Sequence, residues 1–503
     1  MISSLQENPK AKLFFIIFLA LVIRLAGIFS RPIWYDEAFS ILFSEKGLGA
    51  MIYGTLSKSG AGTADIHPLG YYTLLWAWMS IFGQSVLAAR LLSILTNLIS
   101  LILVYLIACN LFNKKTAITA AALFAILPFQ VHFAQEIRMY SLLSLWLLIA
   151  TFSFLRGRTG NWKWWILFGV SSALAQYTHN LAAIYLIPLA LTPLIQRDIK
   201  TLKSIGLASI FAVILYLPWL IYLPAQFSKV NTSYWVERPG IEKIFTLLLF
   251  YLPHLPLPNK LLLPTLMISV ITVVLAAFQT MLARKKSLSN PRRGLWLAYL
   301  AFTPPLLLWL ISQFVPVYIE RALLPAHAIF CIWLAWTFTQ TELPKPVQIL
   351  GFGLITIAAV IGIFQHVNYA GFPYGPFSTL GRRIQSEYQQ GDTIVHSNKL
   401  SYLPAFYFDP KAPQEYITDP AGSSTDTLAP ATQEILQVHA SNDIQTATLG
   451  KNRIWFIIYQ QSIDEFTAQG YQNHPQLEYL AKNFNLEKVE EWGDLRLYLY
   501  SRR

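Results

Sequence analysis

The sequence is poor in cysteine. Among its 503 residues, Cys109 and Cys331 are the two cysteines, and both lie inside apolar runs. This excludes a disulfide framework and a zinc site built from cysteine ligands. We expect both residues to be packing residues.

Charge is also scarce, since 13% of the residues are charged and 54% are hydrophobic. Together with a mean hydropathy of +0.45, this excludes an ordinary soluble globular protein and is typical of a polytopic membrane protein. The net charge of +12 does not indicate a nucleic-acid partner, because residues 367–503 carry 11 basic and 15 acidic residues, 11 − 15 = −4. The basic excess therefore belongs to the part that contacts membrane lipids.

Two further absences narrow the function. The sequence has no glycine-rich phosphate loop, which argues against an ATP-driven pump, and it has no visible internal repeat. The N-terminus has Lys10 and Lys12 before an apolar run that lacks a small-residue cleavage site. We therefore predict a retained first helix instead of a signal peptide.

Long apolar runs dominate residues 1–366. A membrane-spanning helix needs about 20 predominantly apolar residues. Eleven runs are predicted to span: 13–29, 87–111, 116–133, 139–155, 164–178, 180–196, 204–222, 261–283, 295–314, 321–339 and 346–366. Two shorter runs, 68–82 and 241–255, are predicted to lie along or dip into the membrane surface.

The distribution of Lys and Arg predicts the orientation of these spans. With the N-terminus in the cytoplasm, the inner loops carry 16 basic and three acidic residues, whereas the outer segments carry 10 and 8. Basic residues concentrate on the cytoplasmic side of membrane proteins. Loop 30–86 and all residues after 366 are then extracytoplasmic.

The character of the chain changes after residue 366. Short strand-like stretches at 392–396, 453–459 and 495–500 surround an amphipathic helical pattern at 462–483, and 410–430 has the composition of a surface loop. We predict a membrane domain over 1–366 and a small extracytoplasmic α/β domain over 367–503.

Two adjacent carboxylates, Asp36 and Glu37, follow the first span directly, after Trp34 and Tyr35. A charge at this position either lies in water or faces a cavity lined by protein, and it commonly marks function. The aromatic pair suits the headgroup level of a membrane. We therefore expect the two acids to lie at the outer membrane surface.

Other polar motifs occur where the predicted helices meet the same surface. They are segment 65–72, which contains His67 and Tyr71; segment 135–140, which contains Glu136, Arg138 and Tyr140; segment 177–180, which contains His179; and segment 318–325, which contains Glu320 and Arg321.

Four motifs carry a family resemblance: the Asp-Glu pair, His-Pro-x-x-Tyr-Tyr at 67–72, Gln-Glu-x-Arg-Met-Tyr at 135–140 and Glu-Arg-x-Leu-Leu-Pro at 320–325. Taken in order, they resemble those of the GT-C membrane glycosyltransferases. The resemblance is greatest to family 39, the bacterial enzymes similar to protein O-mannosyltransferases and to aminoarabinose transferases. It covers about residues 10–366. It implies a mainly α, GT-C fold and transfer of a sugar from a polyprenyl-phosphate donor to a hydroxyl of a lipid, glycan or protein acceptor, with inversion. The enzyme would lie in the inner membrane of a bacterium and require no cofactor.

Within this resemblance, Asp36 is the expected general base, because a positioned carboxylate can take the proton of an attacking hydroxyl. Arg321 and Arg138 are expected to stabilise the leaving phosphate. Glu37 either joins Asp36 in catalysis or positions it. The predicted substrate-binding residues are His67, Tyr71, Glu136, Arg138, Tyr140, His179 and Arg321.

Structural alternatives exist for several of these residues. Asp36 could cap the N-terminus of a helix, and Arg138 could form an ion pair with Asp36 instead of contacting substrate. His67 and His179 could be loop and helix-end residues. A divalent metal could be held by Asp36, Glu37, His67 and Glu136, although their spacing does not demand one.

Two other functions remain open from the sequence. A transporter or flippase of polyprenyl-linked sugars would need ionisable residues near the middle of its spans and related halves, which the sequence does not show. A non-catalytic assembly protein of the cell envelope would tolerate Asn at position 36.

Overall fold

The computed structural model describes residues 8–29, 31–59, 62–232, 236–285, 290–340, 343–419 and 428–503. All eleven apolar runs that were predicted to span form helices. Their bounds are Pro9–Leu25, Val86–Leu111, Lys114–Ile126 with Pro128–Ala134, Tyr140–Gly157, Lys163–Thr178, Ala182–Ile195, Ile199–Leu220, Asn259–Lys285, Pro291–Ser312, Leu324–Gln340 and Lys345–Asn368.

Seven helices in the described part of the chain are long and apolar enough to cross a membrane, and the bent pair at 114–134 would make eight. The chain is therefore a mainly α, integral membrane protein, as predicted. The count of eleven spans is not confirmed, because Pro9–Leu25, Lys163–Thr178 and Ala182–Ile195 have 17, 16 and 14 residues.

The bend in the pair is 59° and lies where Pro128 begins the second helix. Arg24 is fully buried beside it and donates hydrogen bonds to the carbonyls of Phe124 and Ala125, at 3.3 and 3.0 Å. These are carbonyls at the C-terminus of the first helix, which lack partners within that helix. Arg24 thus stabilises the break that leads into the turn at 135–139.

Shorter elements cover the end of the bundle that carries the polar motifs. Neither Gly70–Phe82 nor Glu242–Tyr251, the two runs predicted at the membrane surface, is among the candidate spans. The remaining elements here are the helices Tyr35–Ser44, Gly47–Leu56 and Leu223–Thr232, the 3₁₀ turn Glu320–Leu323 and an antiparallel pair of strands, β1 (Lys58–Ser59) and β2 (Gly62–Thr63).

The chain after the last long helix forms a six-stranded sheet, which confirms the predicted α/β character. Its strand order is β5-β4-β3-β6-β8-β7; the first four strands are parallel and the last two antiparallel. The strands are β3 (Thr393–His396), β4 (Gln414–Ile417), β5 (Ala440–Ser441), β6 (Arg453–Tyr459), β7 (Phe484–Trp492) and β8 (Leu495–Arg502). The helices are Phe377–Glu387, Lys399–Phe408, Pro430–Leu436, Ile444–Thr448, Gln460–Ala468 and Pro475–Asn483.

Two predictions in this region are wrong in detail. The single helix over 462–483 is two helices, because Gly470 adopts a left-handed φ of 92° and Pro475 begins a new helix. The predicted loop 410–430 contains strand β4, while its residues 420–427 lie outside the described residues.

The sheet region packs directly on the membrane part. Helix Lys399–Phe408 lies against helix Tyr35–Ser44, and Tyr402, Leu403 and Phe406 belong to the same buried core as the membrane helices. The division into two domains at residue 366 stays a prediction. The fold places the sheet region immediately beside the helix that carries Asp36 and Glu37.

Candidate active site

Helix Tyr35–Ser44 presents the two acids in its first turn. Its N-cap residue is Trp34, which makes no side-chain capping bond, so the alternative that Asp36 is the N-cap is wrong. Carboxylates in a first turn are favoured by the helix dipole. Successive residues of a helix point in different directions, and Asp36 and Glu37 accordingly meet different partners.

Asp36 faces two arginines. Its Oδ2 accepts a hydrogen bond from Arg321 Nη1 at 3.0 Å and lies 3.5 Å from Arg138 Nε. Its side chain is 16% exposed. Burial acts to raise the pKa of Asp36, but the charges of Arg138 and Arg321 outweigh it and hold the pKa below its ordinary value. Asp36 is therefore kept ionised.

Arg321 is held over aromatic rings. Its guanidinium carbon lies 5.7 Å from the ring centre of Trp34 and 5.2 Å from that of Tyr140, distances at which a cation is attracted to an aromatic face. The neighbouring Glu320 is paired with Lys243 at 3.1 Å. Arg321 is thus positioned by rings, and the carboxylate that it contacts is Asp36.

Glu37 is fully buried in an ion pair with Arg90. Arg90 donates from Nε and Nη2 to the two carboxylate oxygens at 3.0 and 2.8 Å, and the amide of Ile137 donates to Oε1 at 3.1 Å. Arg90 also donates to the carbonyls of Ile28, Arg31 and Pro32. The pair therefore fixes the chain segment that leads into the helix of Asp36.

Arg138, the second arginine that faces Asp36, is buried. Its Nη1 donates to Tyr72 Oη at 3.3 Å and to Ser40 Oγ at 3.4 Å. The ring of Tyr71 lies 5.8 Å from that of Tyr72 and is also buried. The predicted ion pair between Arg138 and Asp36 thus exists.

Glu136 lies in a second group of charges. Its Oε1 is 3.0 Å from His132 Nε2 and 3.6 Å from Arg31 Nη2, and it accepts from Tyr374 Oη at 3.3 Å. Arg31 also contacts His366 at 3.2 Å and stacks on Tyr374, with 4.5 Å to the ring centre. Burial raises the pKa of Glu136, and the opposing effect of Arg31 does not cancel it.

A cavity of about 220 Å³ lies between the two groups of charges, and we call it the histidine cavity. Its lining includes Arg31, His132, Glu136, His254, Arg321 and His366. His254 is buried with neither ring nitrogen hydrogen-bonded, and Glu136 Oε2 is buried without a partner, within the part of the chain that the structure describes. The histidine cavity thus contains two positively charged guanidinium groups, and its lining also has polar atoms, on Glu136 and His254, that could hydrogen-bond to a ligand.

His67 and His179 lie at the edge of this site. His67 Nδ1 is 2.8 Å from Asp65 Oδ1, and its ring lies 5.9 Å from the ring of His179. His179 Nδ1 accepts from the amide of Leu181 at 3.1 Å, and burial lowers the pKa of His179 well below its ordinary value. The structural alternatives for both histidines are therefore realised, and substrate contact stays a prediction.

The metal site considered from the sequence is not assembled by the described residues. Asp36 contacts Arg321, Glu37 contacts Arg90, His67 contacts Asp65, and Glu136 contacts His132. No group of three or more His, Cys, Asp or Glu side chains in the described ranges could hold a metal ion.

The structure therefore brings Asp36, Arg138, Tyr140 and Arg321 into one contact network, with Glu136 across the histidine cavity. Sequence reasoning missed Arg90, Arg31, His366 and Tyr374. An arginine inside a membrane-length apolar run was a usable signal for Arg90. No local signal identified the others.

Part of the membrane region is similar in sequence to known glycosyltransferases. Residues 66–222 match the dolichyl-phosphate-mannose-protein mannosyltransferase family. An undecaprenyl phosphate-alpha-4-amino-4-deoxy-L-arabinose arabinosyl transferase of Yersinia pestis (strain Pestoides F) is 33% identical over 168 residues, which are 31% of this chain and 30% of that relative. The chain thus matches less than a third of the length of this curated relative.

Solved structures match the fold of this protein over almost the whole chain. ArnT from Cupriavidus metallidurans in the apo state has a TM-score of 0.64 at 12% identity, and the same protein bound to undecaprenyl phosphate has 0.61 at 11%. Each match covers 97% of both chains. The predicted GT-C fold is confirmed.

Proposed function

We propose that this GT-C protein transfers a glycosyl group from a polyprenyl-phosphate donor to an acceptor hydroxyl, with inversion at the anomeric carbon. The observation that carries the proposal is a carboxylate, Asp36, held ionised between two arginines beside the histidine cavity. The fold shared with an undecaprenyl-phosphate-bound ArnT supports the choice of donor lipid.

Asp36 acts as the general base. The acceptor oxygen attacks the anomeric carbon and gives its proton to the Asp36 carboxylate, while the bond from that carbon to the phosphate oxygen breaks. Proton transfer to a positioned group typically contributes about 100-fold to 10,000-fold to the rate. A carboxylate that remains ionised is always ready to accept this proton.

Arg321 stabilises the leaving phosphate. It contacts Asp36 and also lines the histidine cavity, so one guanidinium can bind the base and the phosphate together. When the phosphate takes part of the charge of Arg321, Asp36 becomes more basic. Arginine suits this role because its planar fork can bind oxygens of two groups and stays charged.

The balance of charge in the site favours an anionic ligand. The guanidinium groups of Arg31, Arg90, Arg138 and Arg321 are paired with the carboxylates of Asp36, Glu37 and Glu136, which leaves one positive charge over. The raised pKa of Glu136 shifts the balance further in the same direction. A lipid-linked phosphate would neutralise this excess.

The sugar occupies the histidine cavity. Glu136 Oε2 and both ring nitrogens of His254 are buried without partners among the described residues, and such groups carry a desolvation cost. Sugar hydroxyls both donate and accept hydrogen bonds and can satisfy them. Tyr374 and Trp34 supply aromatic surface in the same cavity.

Glu37 is a positioning residue. Both of its carboxylate oxygens accept hydrogen bonds from Arg90, and Glu37 is fully buried and does not line the histidine cavity. Through Arg90 it orders the segment before Asp36. The catalytic contact predicted for Glu37 is thus less favoured than its positioning role.

The proposed enzyme lies in the inner membrane of a bacterium with its N-terminus in the cytoplasm. Asp36 and the sheet region then face the extracytoplasmic side, where a lipid, glycan or protein acceptor would bind. The residues named above account for proton transfer and phosphate stabilisation without a required metal or cofactor.

The test is transfer of radiolabel from a panel of polyprenyl-phosphate sugars by detergent-purified protein. We expect one donor to lose its sugar in the wild-type reaction. Asp36→Asn removes the proton acceptor and should reduce transfer about 100-fold to 10,000-fold. It also removes the negative charge between Arg138 and Arg321, so the melting temperature should fall, and transfer is compared at a temperature at which both proteins are folded. The exposed control Asp464→Asn should transfer at the wild-type rate.

Rival functions give different results. A flippase would move labelled lipid across vesicles without cleaving it, and a non-catalytic assembly protein would turn over no donor with any acceptor class. Wild-type transfer by Asp36→Asn would overturn the assignment of the base.

A further inference from the structure

A second concave site lies in the sheet region, away from the active site. It is a groove of about 270 Å³ between helix Phe377–Glu387, helix Lys399–Phe408 and strand β3. We call it the sheet groove. It is similar in size to the histidine cavity, but no residue of the reaction proposed above lines it.

The amide and imidazole groups that line the sheet groove have hydrogen-bond partners. Gln385 Nε2 donates to Asp409 Oδ2 at 2.6 Å, and Gln414 Nε2 donates to the Asp409 carbonyl at 2.6 Å. His396 lies 3.1 Å from Ser401 Oγ and 3.3 Å from Gln414 Oε1. Because these groups are already satisfied, they offer little to a polar ligand; the lining also includes Lys411, a cation that suits the phosphate of a lipid head at the rim.

Apolar side chains form the remaining wall. Leu380, Ile384, Ile394 and Ile457 line the sheet groove together with Phe408. Removal of such surface from water is favourable in proportion to its area, so the groove favours an apolar occupant.

Gly381 lines the groove from the middle of helix Phe377–Glu387. A Cβ atom added there would meet nothing within 4 Å, and its φ is not in the left-handed region. Neither sterics nor backbone conformation therefore requires glycine, which weakens a helix interior. What glycine provides at this position is open space in the groove.

The sheet groove also lies close to the membrane surface. Phe408, a lining residue, is 44% exposed, and its neighbour Tyr407 donates to the carbonyl of Gln84 at 3.1 Å. Gln84 precedes the spanning helix Val86–Leu111 and follows Ile81 and Phe82, which are 75% and 57% exposed. Exposed apolar side chains thus lie on both sides of this contact.

We propose that the sheet groove binds one hydrocarbon chain of a membrane lipid. The occupant is an acyl chain that rises from the adjacent leaflet, and its polar head stays at the surface. This inference is independent of the glycosyl transfer proposed above, because it concerns binding by residues outside the active site.

The experiment uses the full chain in vesicles of phosphatidylethanolamine and phosphatidylglycerol that contain a phosphatidylcholine with a diazirine near the end of one acyl chain. After illumination, adducts are mapped by mass spectrometry. We expect adducts on residues 377–414 in the wild type, in addition to those on lipid-facing spanning helices, which report that the photochemistry worked.

An added Cβ at Gly381 meets no atom within 4 Å and leucine favours a helix, so Gly381→Leu should fill the groove and fold normally. It should reduce the adducts on residues 377–414 at least about tenfold and leave those on the spanning helices unchanged. The matched control Ser378→Leu adds the same side chain at an exposed position of the same helix and should label like the wild type.

Absence of adducts on residues 377–414 in the wild type would overturn the proposal, as would equal labelling of Gly381→Leu and the wild type. Labelling of both variants at exposed residues outside the groove would indicate general contact with the bilayer, and it too would overturn the proposal. Donor turnover is not a readout here, so this result does not depend on the proposed transferase activity.

Discussion

Asp36 and Glu37 are neighbours in one helical turn but lie in opposite environments. Asp36 shares its charge between two arginines and borders the histidine cavity through Arg321. Glu37 is 0% exposed and has both oxygens taken by Arg90. We therefore expect Asp36 to exchange partners when a ligand enters, and Glu37 to keep its partner.

This difference suggests which acid is the base and which is the positioning residue, a distinction that the Asp-Glu sequence alone does not make. A base must remain within reach of a reacting proton, and Asp36, which is 16% exposed beside Arg321, fits that requirement better than the buried Glu37. A buried ion pair with every hydrogen bond made is suited to holding a loop in one geometry. The comparison predicts that disrupting the Glu37 side affects folding first, and disrupting the Asp36 side affects turnover first.

The largest effect is expected for Arg90→Met. It leaves Glu37 buried without a counter-ion and frees three backbone carbonyls, and loss of one partner of a buried pair costs about 3–5 kcal/mol. Melting temperature in detergent should fall sharply, and transfer should fall with it. The double variant Arg90→Met/Glu37→Leu should recover part of this stability, because no uncompensated charge remains. Wild-type stability in Arg90→Met would contradict the positioning role.

Arg90 is one of several features that the sequence alone allows to be predicted. The eleven apolar runs are all helical because membrane-length hydrophobic runs form helices whatever else they contact. Asp36, Arg138 and Arg321 were identified because their motifs lie at helix ends on one side of the membrane. Arg90 and Arg24 stand inside apolar runs, where an isolated arginine already indicates an internal partner.

The remaining part of the site could not be predicted. Arg31 and His366 are in contact although they are 335 residues apart in the chain, and Tyr374 enters the site from the start of the sheet region. Such contacts depend on how helices pack, and no local pattern encodes them. Composition does not determine the number of spans either, since helices of 14 to 17 residues and a bent pair have compositions close to those of longer spans.

A smaller effect is expected for Arg321→Lys, which tests the Asp36 side of the comparison. Lysine keeps the charge beside Asp36, but it lacks the planar fork that can reach base and phosphate together, and it stacks less well on Trp34 and Tyr140. We expect turnover to fall about 10-fold to 100-fold, which corresponds to about 1.4–2.7 kcal/mol, with little change in melting temperature. The exposed Arg382→Lys serves as control. Turnover at the wild-type rate in Arg321→Lys would show that charge alone is sufficient.

The smallest effect is a displacement of the acid limb of the pH profile. The pKa of Asp36 lies below its ordinary value because Arg138 and Arg321 outweigh burial. A carboxyl group whose pKa is lowered by folding contributes its full stabilisation above its unfolded pKa of about 3.9. The ionised form and its stabilisation are lost as pH falls through the folded pKa. The acid limb of kcat/KM should therefore lie below the usual carboxyl range.

Removal of one arginine sharpens this test. In Arg321→Ala, burial is opposed mainly by Arg138, so the pKa of Asp36 should rise and the acid limb should move to higher pH in the residual activity. Glu136 has a raised pKa, so a limb that belonged to Glu136 would lie above the ordinary carboxyl range and disappear in Glu136→Gln. An acid limb that is unmoved in Arg321→Ala but lost in Glu136→Gln would transfer the role of base from Asp36 to Glu136.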